Sequence, residues 1–313
     1  METYEEKIGS ICRAGALISV SALIVLRFRT HKHFRAGSFI VSLYNRMGDD
    51  TLNKLKTWFG RLSLTERRSI ASLGALALII AVALLINNPV IVGVSAVKRE
   101  LPIYCVERDN KCASLSFDAA WGNEDTQELI DILARYNVKA TFFVVGQWVD
   151  KFPESVKALD DAGHEVMNHS NDHAHFSRLS SEQIISDINA CNDKIESVTG
   201  VRPTLFRCPY GEYDDNVIKS VNSMGMTAVQ WDVDSLDWKD LPASEISQRV
   251  TSRAQAGSII LFHNAAKNTP AALPEIIETL IADGFELVPI SEILLTGDYE
   301  IDNTGRQCRL KDT

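Results

Sequence analysis

Ser116-Phe117-Asp118-Ala119-Ala120-Trp121-Gly122 is the stretch that decides the fold of this chain. It completes an alternating run from Lys111 to Phe117, which is typical of a β-strand. It places a carboxylate, Asp118, where that strand must end. Further along the chain, polar and titratable residues again stand at the ends of apolar runs. These positions make sense together only if all the strand ends face one cleft.

Downstream of this stretch, short β-rich runs alternate with amphipathic helical runs. Strands are predicted at Ala113–Asp118, Ala140–Val145, Glu165–Asn168, Thr204–Cys208, Thr227–Asp232, Ser258–Phe262 and Glu286–Pro289. Helices are predicted at Asp125–Tyr136, Gln147–Asp161, Ser181–Thr199, Asp214–Met224, Ala243–Ala256 and Pro270–Asp283, with a short one from Ser291. This alternation predicts an α/β fold, a distorted (β/α) barrel of about seven parallel strands. No Gly-x-Gly-x-x-Gly follows a strand, which counts against nucleotide binding.

In a barrel of this type the chemistry lies at the C-terminal ends of the strands. Five of the seven predicted strand ends carry ionisable side chains: Asp118; His169 and His173; Arg207 to Tyr210; Asp234 to Trp238; and His263. Charges on helix faces are common, whereas charges at successive strand ends are much less expected. The pattern therefore indicates an active-site cleft.

Two of these ends have an interpretation without catalysis as well as a catalytic one. Asp118 could cap the helix that starts near Asp125, and His263 could be a hydrogen-bonded histidine at the rim.

His169 and His173 stand four residues apart, so a single helical turn would aim both imidazoles at one point. That spacing suits a divalent metal such as zinc, with positions left open for water and substrate.

Taken in order, the motifs Ser-Phe-Asp, His-Ser-x-x-His, Arg-x-Pro-Tyr-Gly, Asp-x-x-Asp-Trp and Leu-x-His resemble the polysaccharide deacetylases, the NodB homology domain of carbohydrate esterase family four. The resemblance covers roughly Lys111 to Ile293. Ser116 to Asn123, together with an N-terminal anchor, looks most like the spore-associated members from Gram-positive bacteria. The resemblance implies an enzyme that removes N-acetyl groups from peptidoglycan or a chitin-like glycan, in the formation of the cell wall or spore cortex.

The resemblance also implies roles for the acid–base residues. Asp118 matches the general base, and Arg207 matches the arginine that holds the base carboxylate. His263 matches the general acid, and Asp237 matches the aspartate that tunes it.

The remaining matches concern metal and substrate. His169 and His173 match the two histidine ligands of a divalent metal, most simply zinc. The backbone amide of Tyr210 matches an oxyanion donor. Leu261 and Trp238 match the walls of the acetyl pocket. Independently of the resemblance, Trp121, Trp231 and Trp238 lie close to the strand ends, where they suit stacking on sugar rings better than a place in the core.

One departure from the family pattern matters for the metal. The family usually has a second aspartate directly after the base as third ligand, and Ala119 stands there in this chain. We therefore expect a weak metal site, which Glu124 or Asp125 could supplement. Two hypotheses follow: a working deacetylase, or a degenerate barrel that binds glycan without hydrolysing it. Retention of an acid–base pair favours the first.

The N-terminal third differs in charge from the rest. Residues 1–68 carry 12 lysines and arginines against 6 acidic residues, whereas the remainder carries 20 against 35. From Ser69 to Val97 there is no charged residue, and a bilayer core requires roughly 20 apolar residues in a helix. Arginines closely precede this run, so an uncleaved anchor with a cytoplasmic N-terminal side is expected. The shorter run Ala14–Leu26 is either an interfacial helix or an upstream extension before an alternative start at Met47.

We therefore expect four segments: a basic cytoplasmic segment at 1–68, a transmembrane anchor at 69–97, a deacetylase domain at 98–296 outside the membrane, and a polar tail at 297–313. The expected partners are the membrane and a cell-wall glycan, with no nucleic acid. Cys105 and Cys112 would lie opposite each other on a hairpin, either bridged in an oxidising exterior or reduced.

Overall fold

The computed structural model describes residues 54, 57–58, 60–86 and 99–310. The chain divides into two compact units, residues 1–98 and 99–313. The predictions for residues 1–53 and 87–98 lie outside the described residues. In the first unit, helix α1 spans Leu64–Ile86 and is apolar through most of its length. Among the described residues, no helix has the length and hydropathy required to cross a membrane.

The second unit alternates strands and helices. Its strands are β1 (Cys105–Val106), β2 (Cys112–Ala119), β3 (Thr141–Val144), β4 (Glu165–Asn168), β5 (Leu205–Phe206), β6 (Thr227–Ala228), β7 (Val233–Asp234), β8 (Ser258–His263), β9 (Glu286–Leu287), β10 (Tyr299–Ile301) and β11 (Arg306–Arg309). Its helices are α2 (Thr126–Arg135), α3 (Gly146–Lys151), α4 (Pro153–Asp161), α5 (Ser181–Thr199), α6 (Asp215–Ser223), α7 (Ala243–Thr251), α8 (Thr269–Ala282) and α9 (Ile290–Ile293).

The sheet follows the order β10-β11-β1-β8-β2-β3-β4-β5-β6, with β7 also paired to β8 and β9 to β2. From β8 to β6 every neighbouring pair is parallel. The result is an α/β half-barrel of mostly parallel strands, which confirms the predicted class. Closure is less regular than a full barrel, because no β6–β7 ladder forms within the described part of the chain.

The segment just before and within β1 lies in the gap that this leaves. Ile103 bridges Val229 after β6, and Cys105 pairs with Ser258 of β8 in antiparallel register. The chain entering the second unit thus links β6 to β8. Because β1 pairs with β8 and β11, Cys105 does not lie opposite Cys112 on a hairpin, and both thiols are free.

Two further differences have local causes. The helix predicted at Gln147–Asp161 is broken at Phe152 (φ −134°, ψ 53°), because the following Pro153 disfavours the helical conformation in the preceding residue. Residues 297–313, predicted as a polar tail, contain the hairpin β10–β11, which pairs with β1 and so extends the sheet.

The main core lies between the sheet and the helices. Phe117 on β2 stacks on Phe142 and Phe262 of the two neighbouring strands, with ring centroids 4.7 and 5.4 Å apart. Ser116 on the opposite face of β2 is also fully buried, and its hydroxyl donates to the carbonyl of Ile260 at 2.7 Å. The strands therefore bury an apolar face toward the helices and a polar face inside the half-barrel, where the site lies.

Candidate active site

Strand β2 carries Asp118 to the rim of the half-barrel. Side chains alternate along a strand, so Ser116 and Asp118 share one face, whereas Phe117 and Ala119 belong to the apolar cluster. Asp118 is only 6% exposed. It is the in-register partner of His263 at the end of β8. A carboxylate and an imidazole therefore occupy adjacent strand ends.

The guanidinium of Arg207 forms an ion pair with this carboxylate. Nη1 donates to Oδ1 of Asp118 at 2.9 Å, and Nη2 donates to the hydroxyl of Ser116 at 2.9 Å and to the carbonyl of Gln230 at 3.1 Å. Arg207 is completely buried, with its guanidinium carbon 4.1 Å from the ring centroid of Phe143. A buried charge requires such pairing. The hydrogen bond from Arg207 fixes Oδ1 of Asp118 and leaves Oδ2 able to accept a proton.

The surroundings of Asp118 favour its ionised form. Burial alone would raise the pKa of this carboxyl, but nearby His169 and Arg207 outweigh burial and place the pKa below its usual value. Asp118 is therefore a carboxylate at neutral pH and able to accept a proton.

His169 faces the free oxygen of Asp118. Its Nδ1 must donate to the carbonyl of Arg207 (2.8 Å), because a carbonyl only accepts. Nε2 then lies 3.5 Å from Oδ2 of Asp118. Asn168 supports this loop by accepting from the amide of Ser170 at 2.7 Å and donating to the carbonyl of Ile188 at 2.9 Å.

The two histidines meet through a loop and not through the helical turn suggested by their spacing. Ser170 and His173 adopt positive φ values of 73° and 53°, which a right-handed helix excludes. The rings of His169 and His173 nevertheless come together edge to face, with centroids 5.1 Å apart. Sequence spacing predicted the meeting of the rings, but the backbone reaches it by a different path.

The donor set fits a divalent metal only in part. Burial lowers the pKa of His169, and burial together with the proximity of His169 lowers the pKa of His173 to about 4, so both rings favour the neutral form at pH 7. The Nδ1 of His173 is buried and lacks a hydrogen-bond partner. A catalytic zinc site usually has three protein ligands, and no group of three His, Cys, Asp or Glu able to hold a metal occurs in the part of the chain described.

Neither acidic residue suggested as a substitute supplies the third ligand. Asp125 stands at the N-terminus of α2, and its Oδ2 accepts from the amide of Ala265 at 2.9 Å. Glu124 belongs to no such group either. The residues present therefore do not reproduce a three-ligand metal site.

His263 and Asp237 form a second buried pair. The imidazole Nδ1 donates to Oδ1 of Asp237 at 2.8 Å, while Oδ2 accepts from the amide of His263 and the hydroxyl of Thr269, both at 2.8 Å. Burial lowers the pKa of His263, but the hydrogen bond and charge of Asp237, with the charge of Asp118, raise it above the usual value. His263 thus tends to carry the proton that a general acid must donate.

The loop after β5 presents Tyr210 at the rim. Tyr210 has φ 59° and is 61% exposed. Its ring stacks on that of His175, with centroids 4.6 Å apart and planes at 17°. It also packs edge to face with the ring of His173, with centroids 4.5 Å apart. His175 is itself paired with Glu212 at 2.6 Å. The tyrosine is thereby held in a conformation that non-glycine residues seldom adopt.

The expected pocket walls differ in exposure. Leu261 is buried within β8, whereas Trp238 is 57% exposed at the rim. Trp231 packs against a buried cluster that includes Phe143 and Val229, and its ring contacts the guanidinium of Arg207. This packing differs from the sugar-stacking role that the sequence predicted for Trp231.

Asn264 is a site residue that sequence reasoning missed. It is 6% exposed, accepts from the amide of Ala120 at 3.2 Å, and donates to the carbonyls of Trp121 and Gly122 at 2.6 and 2.8 Å. It thus ties the loop after Asp118 to the strand end of His263. Its position next to a candidate acid was the only available signal in the sequence.

Comparisons with known proteins agree with this geometry. Residues 106–229 match the family model described as polysaccharide deacetylase. The chain is 37% identical over 188 residues to the peptidoglycan-N-acetylmuramic acid deacetylase PdaC of Bacillus subtilis, covering 60% of this chain and 40% of that protein. It is 32% identical over 187 residues to a peptidoglycan-N-acetylglucosamine deacetylase of Bacillus cereus, covering 58% of this chain and 68% of that protein.

Among solved structures, a CE4 family pseudoenzyme from Bacillus anthracis superposes with a TM-score of 0.60 at 34% identity, covering 61% of this chain and 68% of that chain. A mutant of that pseudoenzyme with restored enzymatic activity superposes with the same TM-score at 35% identity, covering 61% of this chain and 70% of that chain.

This chain spans only part of its curated relatives, 40% of the Bacillus subtilis PdaC and 39% of the Listeria monocytogenes deacetylase PgdA. The match extends through the part that holds Asp118, the two histidines and Arg207. The chain therefore belongs to the polysaccharide deacetylase family.

Proposed function

We propose that this chain hydrolyses the N-acetyl groups of a cell-wall glycan. The observation that carries the proposal is the hydrogen bond that holds Asp118 on Arg207, beside the hydrogen-bonded His263–Asp237 pair at the end of the neighbouring strand. Hydrolysis of an amide needs a base to activate water and an acid to protonate the leaving nitrogen. Two such groups on adjacent strand ends suit that reaction.

In the proposed mechanism, Asp118 removes a proton from water as the water oxygen bonds to the acetyl carbonyl carbon. The backbone amide of Tyr210 donates a hydrogen bond to the oxyanion that develops. His263 then gives its proton to the sugar nitrogen as the carbon–nitrogen bond breaks. The products are acetate and a free amino sugar. Deacetylases of this family generally depend on a metal, but we assign these steps to the side chains that are present.

The second candidate function is glycan binding without hydrolysis. The observation that favours it is Ala119, which lies in the apolar cluster where the family usually has its third metal ligand. The likeness to a CE4 family pseudoenzyme from Bacillus anthracis supports this alternative.

An acetate-release assay on the purified full-length chain separates the two functions. Under the first proposal, acetylated peptidoglycan fragments release acetate, and both Asp118→Asn and His263→Gln reduce the rate by at least about 100-fold, the scale of general acid–base catalysis. Circular dichroism controls for folding of both variants. Retention of the fragments without any acetate release would establish the second function and refute the first.

The sugar is part of the proposal as well. One relative is described as acting on N-acetylmuramic acid and others on N-acetylglucosamine. Fragments acetylated at only one of the two sugars, assayed side by side, identify the substrate. A link to cell-wall or spore formation rests on the resemblance described above.

We also propose, from sequence alone, that residues 69–97 anchor the chain in the cell membrane with the deacetylase domain outside. The uncharged run from Ser69 to Val97 supports this, as does the positive charge preceding it. A reporter that works only in the cytoplasm, fused after Thr313, is expected to give no signal. A strong signal would contradict the proposal.

A further inference from the structure

Three large aromatic side chains stand exposed around the site. Trp121 is 69%, Tyr210 61% and Trp238 57% exposed, although each is close to a buried polar centre. Tyr210 and Trp238 lie in motifs that the resemblance explains. Trp121 has no such assignment. Leaving an indole in water forgoes the free energy of burying it, so its exposure requires a reason.

The loop that carries Trp121 is firmly held. Asn264, itself buried, makes one hydrogen bond to each of Ala120, Trp121 and Gly122. The indole of the buried Trp148 donates to the carbonyl of Gly122 as well. The exposure of Trp121 is therefore not the result of a loose loop, because its backbone is fixed and only the side chain projects.

The ring of Trp121 stands beside the candidate catalytic centre. Its centroid lies 5.7 Å from that of His173, with the planes at 62°. The ring of Tyr210 also packs edge to face with that of His173, with centroids 4.5 Å apart and the planes at 74°. Tyr210 is additionally stacked on His175, whereas among the described residues Trp121 shows no stacked ring partner. A flat face of the indole is thus available to a ligand.

We infer that Trp121 is a sugar-stacking residue that binds the pyranose ring next to the one being deacetylated, and that Asn264 positions it. The ligand is a β-linked amino-sugar glycan, since a pyranose offers an apolar C–H face to an aromatic ring and polar groups to the carboxylate and imidazoles nearby. A rigid aromatic side chain supplies contact area at a small cost in conformational entropy. This inference rests on the proposed function and adds a second sugar subsite to it.

Binding and kinetics on oligosaccharides of different length test this subsite. Calorimetry with a soluble N-acetylglucosamine pentamer is expected to show about tenfold weaker binding for Trp121→Ala, a loss comparable to that of other stacked rings. Trp121→Phe is expected to stay within about threefold of the wild type. Tyr299→Ala is the matched control, because Tyr299 is a partly exposed aromatic residue in the hairpin strand β10.

Initial rates separate stacking from a general structural role. Trp121→Ala should raise KM for the pentamer by about tenfold with kcat unchanged, and should leave the monosaccharide unaffected. Asn264→Asp, which keeps the shape but replaces the donating nitrogen, should show the same dependence on chain length.

Equal pentamer binding and KM in Trp121→Ala and the wild type would overturn the inference. The proposed function would still stand in that case if Trp238→Ala, a change in the expected wall of the acetyl pocket, lost activity. A wild-type chain that neither binds nor hydrolyses the pentamer or peptidoglycan fragments would overturn both.

Discussion

At the residue scale, the ion pair of Arg207 and Asp118 dominates the site. Both groups are buried, and each neutralises the charge of the other, which would be costly to bury alone. Ser116 takes up a second nitrogen of the guanidinium. The same contacts stabilise the half-barrel and keep Asp118 ionised, so stability and acid–base chemistry both depend on the ion pair of Arg207 and Asp118.

Removing one partner of this pair should therefore be costly. Arg207→Met leaves Asp118 buried without its counter-charge, and we expect a loss of about 3–5 kcal/mol in the free energy of unfolding. Urea unfolding of Arg207→Met, Asp118→Asn and the double variant measures it. The double variant should lose less than the two single variants together. Strict additivity would show that the pair does not act as described.

His263 provides a prediction on pH dependence. Its pKa is raised chiefly by Asp237, against the lowering effect of burial. A general acid must be protonated, so activity is present below this pKa and is lost as pH rises through it. Asp237→Asn removes the charge that raises the pKa. The fall in kcat/KM on the alkaline side should accordingly move to lower pH, whereas an unchanged profile would remove His263 from the acid role.

Ala119 provides a prediction on metal. Its methyl group lies in the apolar cluster, 1% exposed, so an ionised carboxylate there is unfavourable unless a cation pairs with it. Without metal, Ala119→Asp is expected to have a lower melting temperature than the wild type. With added zinc, it is expected to gain more stability than the wild type and to release acetate faster. Ala119→Asn is the control of similar size without charge. Equal zinc-induced shifts in the wild type and Ala119→Asp would mean that this position is not the missing ligand.

At the element scale, tight backbone contacts hold the strands together. Gly257, just before β8, has φ 81°, and a Cβ there would lie 1.8 Å from the carbonyl oxygen of Val106 in β1. Its amide donates to the carbonyl of Cys112 at 2.7 Å, and its carbonyl accepts from Val106 at 2.9 Å. This glycine is where β1 and β2 meet the start of β8.

Substitution of this glycine should therefore cost more than the backbone conformation alone. Gly200 has a similar φ of 74° with nothing within 4 Å of an added Cβ, so Gly200→Ala reports only the unfavourable φ. We expect Gly257→Ala to cost about 1–3 kcal/mol more than Gly200→Ala, the range for overpacking. Thermal or urea unfolding of the two variants gives the difference directly. Equal costs would mean that β1 moves aside freely.

At the scale of the second unit, residues 99–313, the half-barrel depends on its ends. The segment Ile103–Val106 lies between the ends of β6 and β8, and the hairpin β10–β11 covers the outer edge of β1. Gln307 of that hairpin is buried. Its side-chain Oε1 accepts from the amide of Leu295 at 2.8 Å, and its Nε2 donates to the carbonyl of Leu295 at 3.1 Å. The hairpin β10–β11 is thus part of the fold.

Truncation tests this role of the hairpin. A chain ending at Thr296 should lose about 2 kcal/mol or more, the scale of one buried aliphatic side chain with its strand pairing. A chain ending at Leu310 keeps the hairpin and serves as control. Identical unfolding midpoints for the two would show that the hairpin is dispensable.

Periodicity in the sequence predicted most strands and helices from β2 to β9 in their correct order, because that signal is local. Helix α5 appears at its predicted bounds, with Ser180 and Gln183 forming the capping box. Failures came where local signals compete or are absent. Pro153 broke a helix that looked continuous, and the hairpin β10–β11 is too short and polar to show a strand pattern.

The sequence likewise singled out Asp118, His169, Arg207 and His263, because charged groups at strand ends are unusual. How these side chains act together depends on long-range packing, since Asp118 and Arg207 meet across 89 positions of sequence. The same packing sets the roles of Ser116 and Asn264, whose partners lie on other strands and loops. Periodicity records which face of a strand is apolar, whereas a hydrogen bond between distant elements depends on how the whole half-barrel packs.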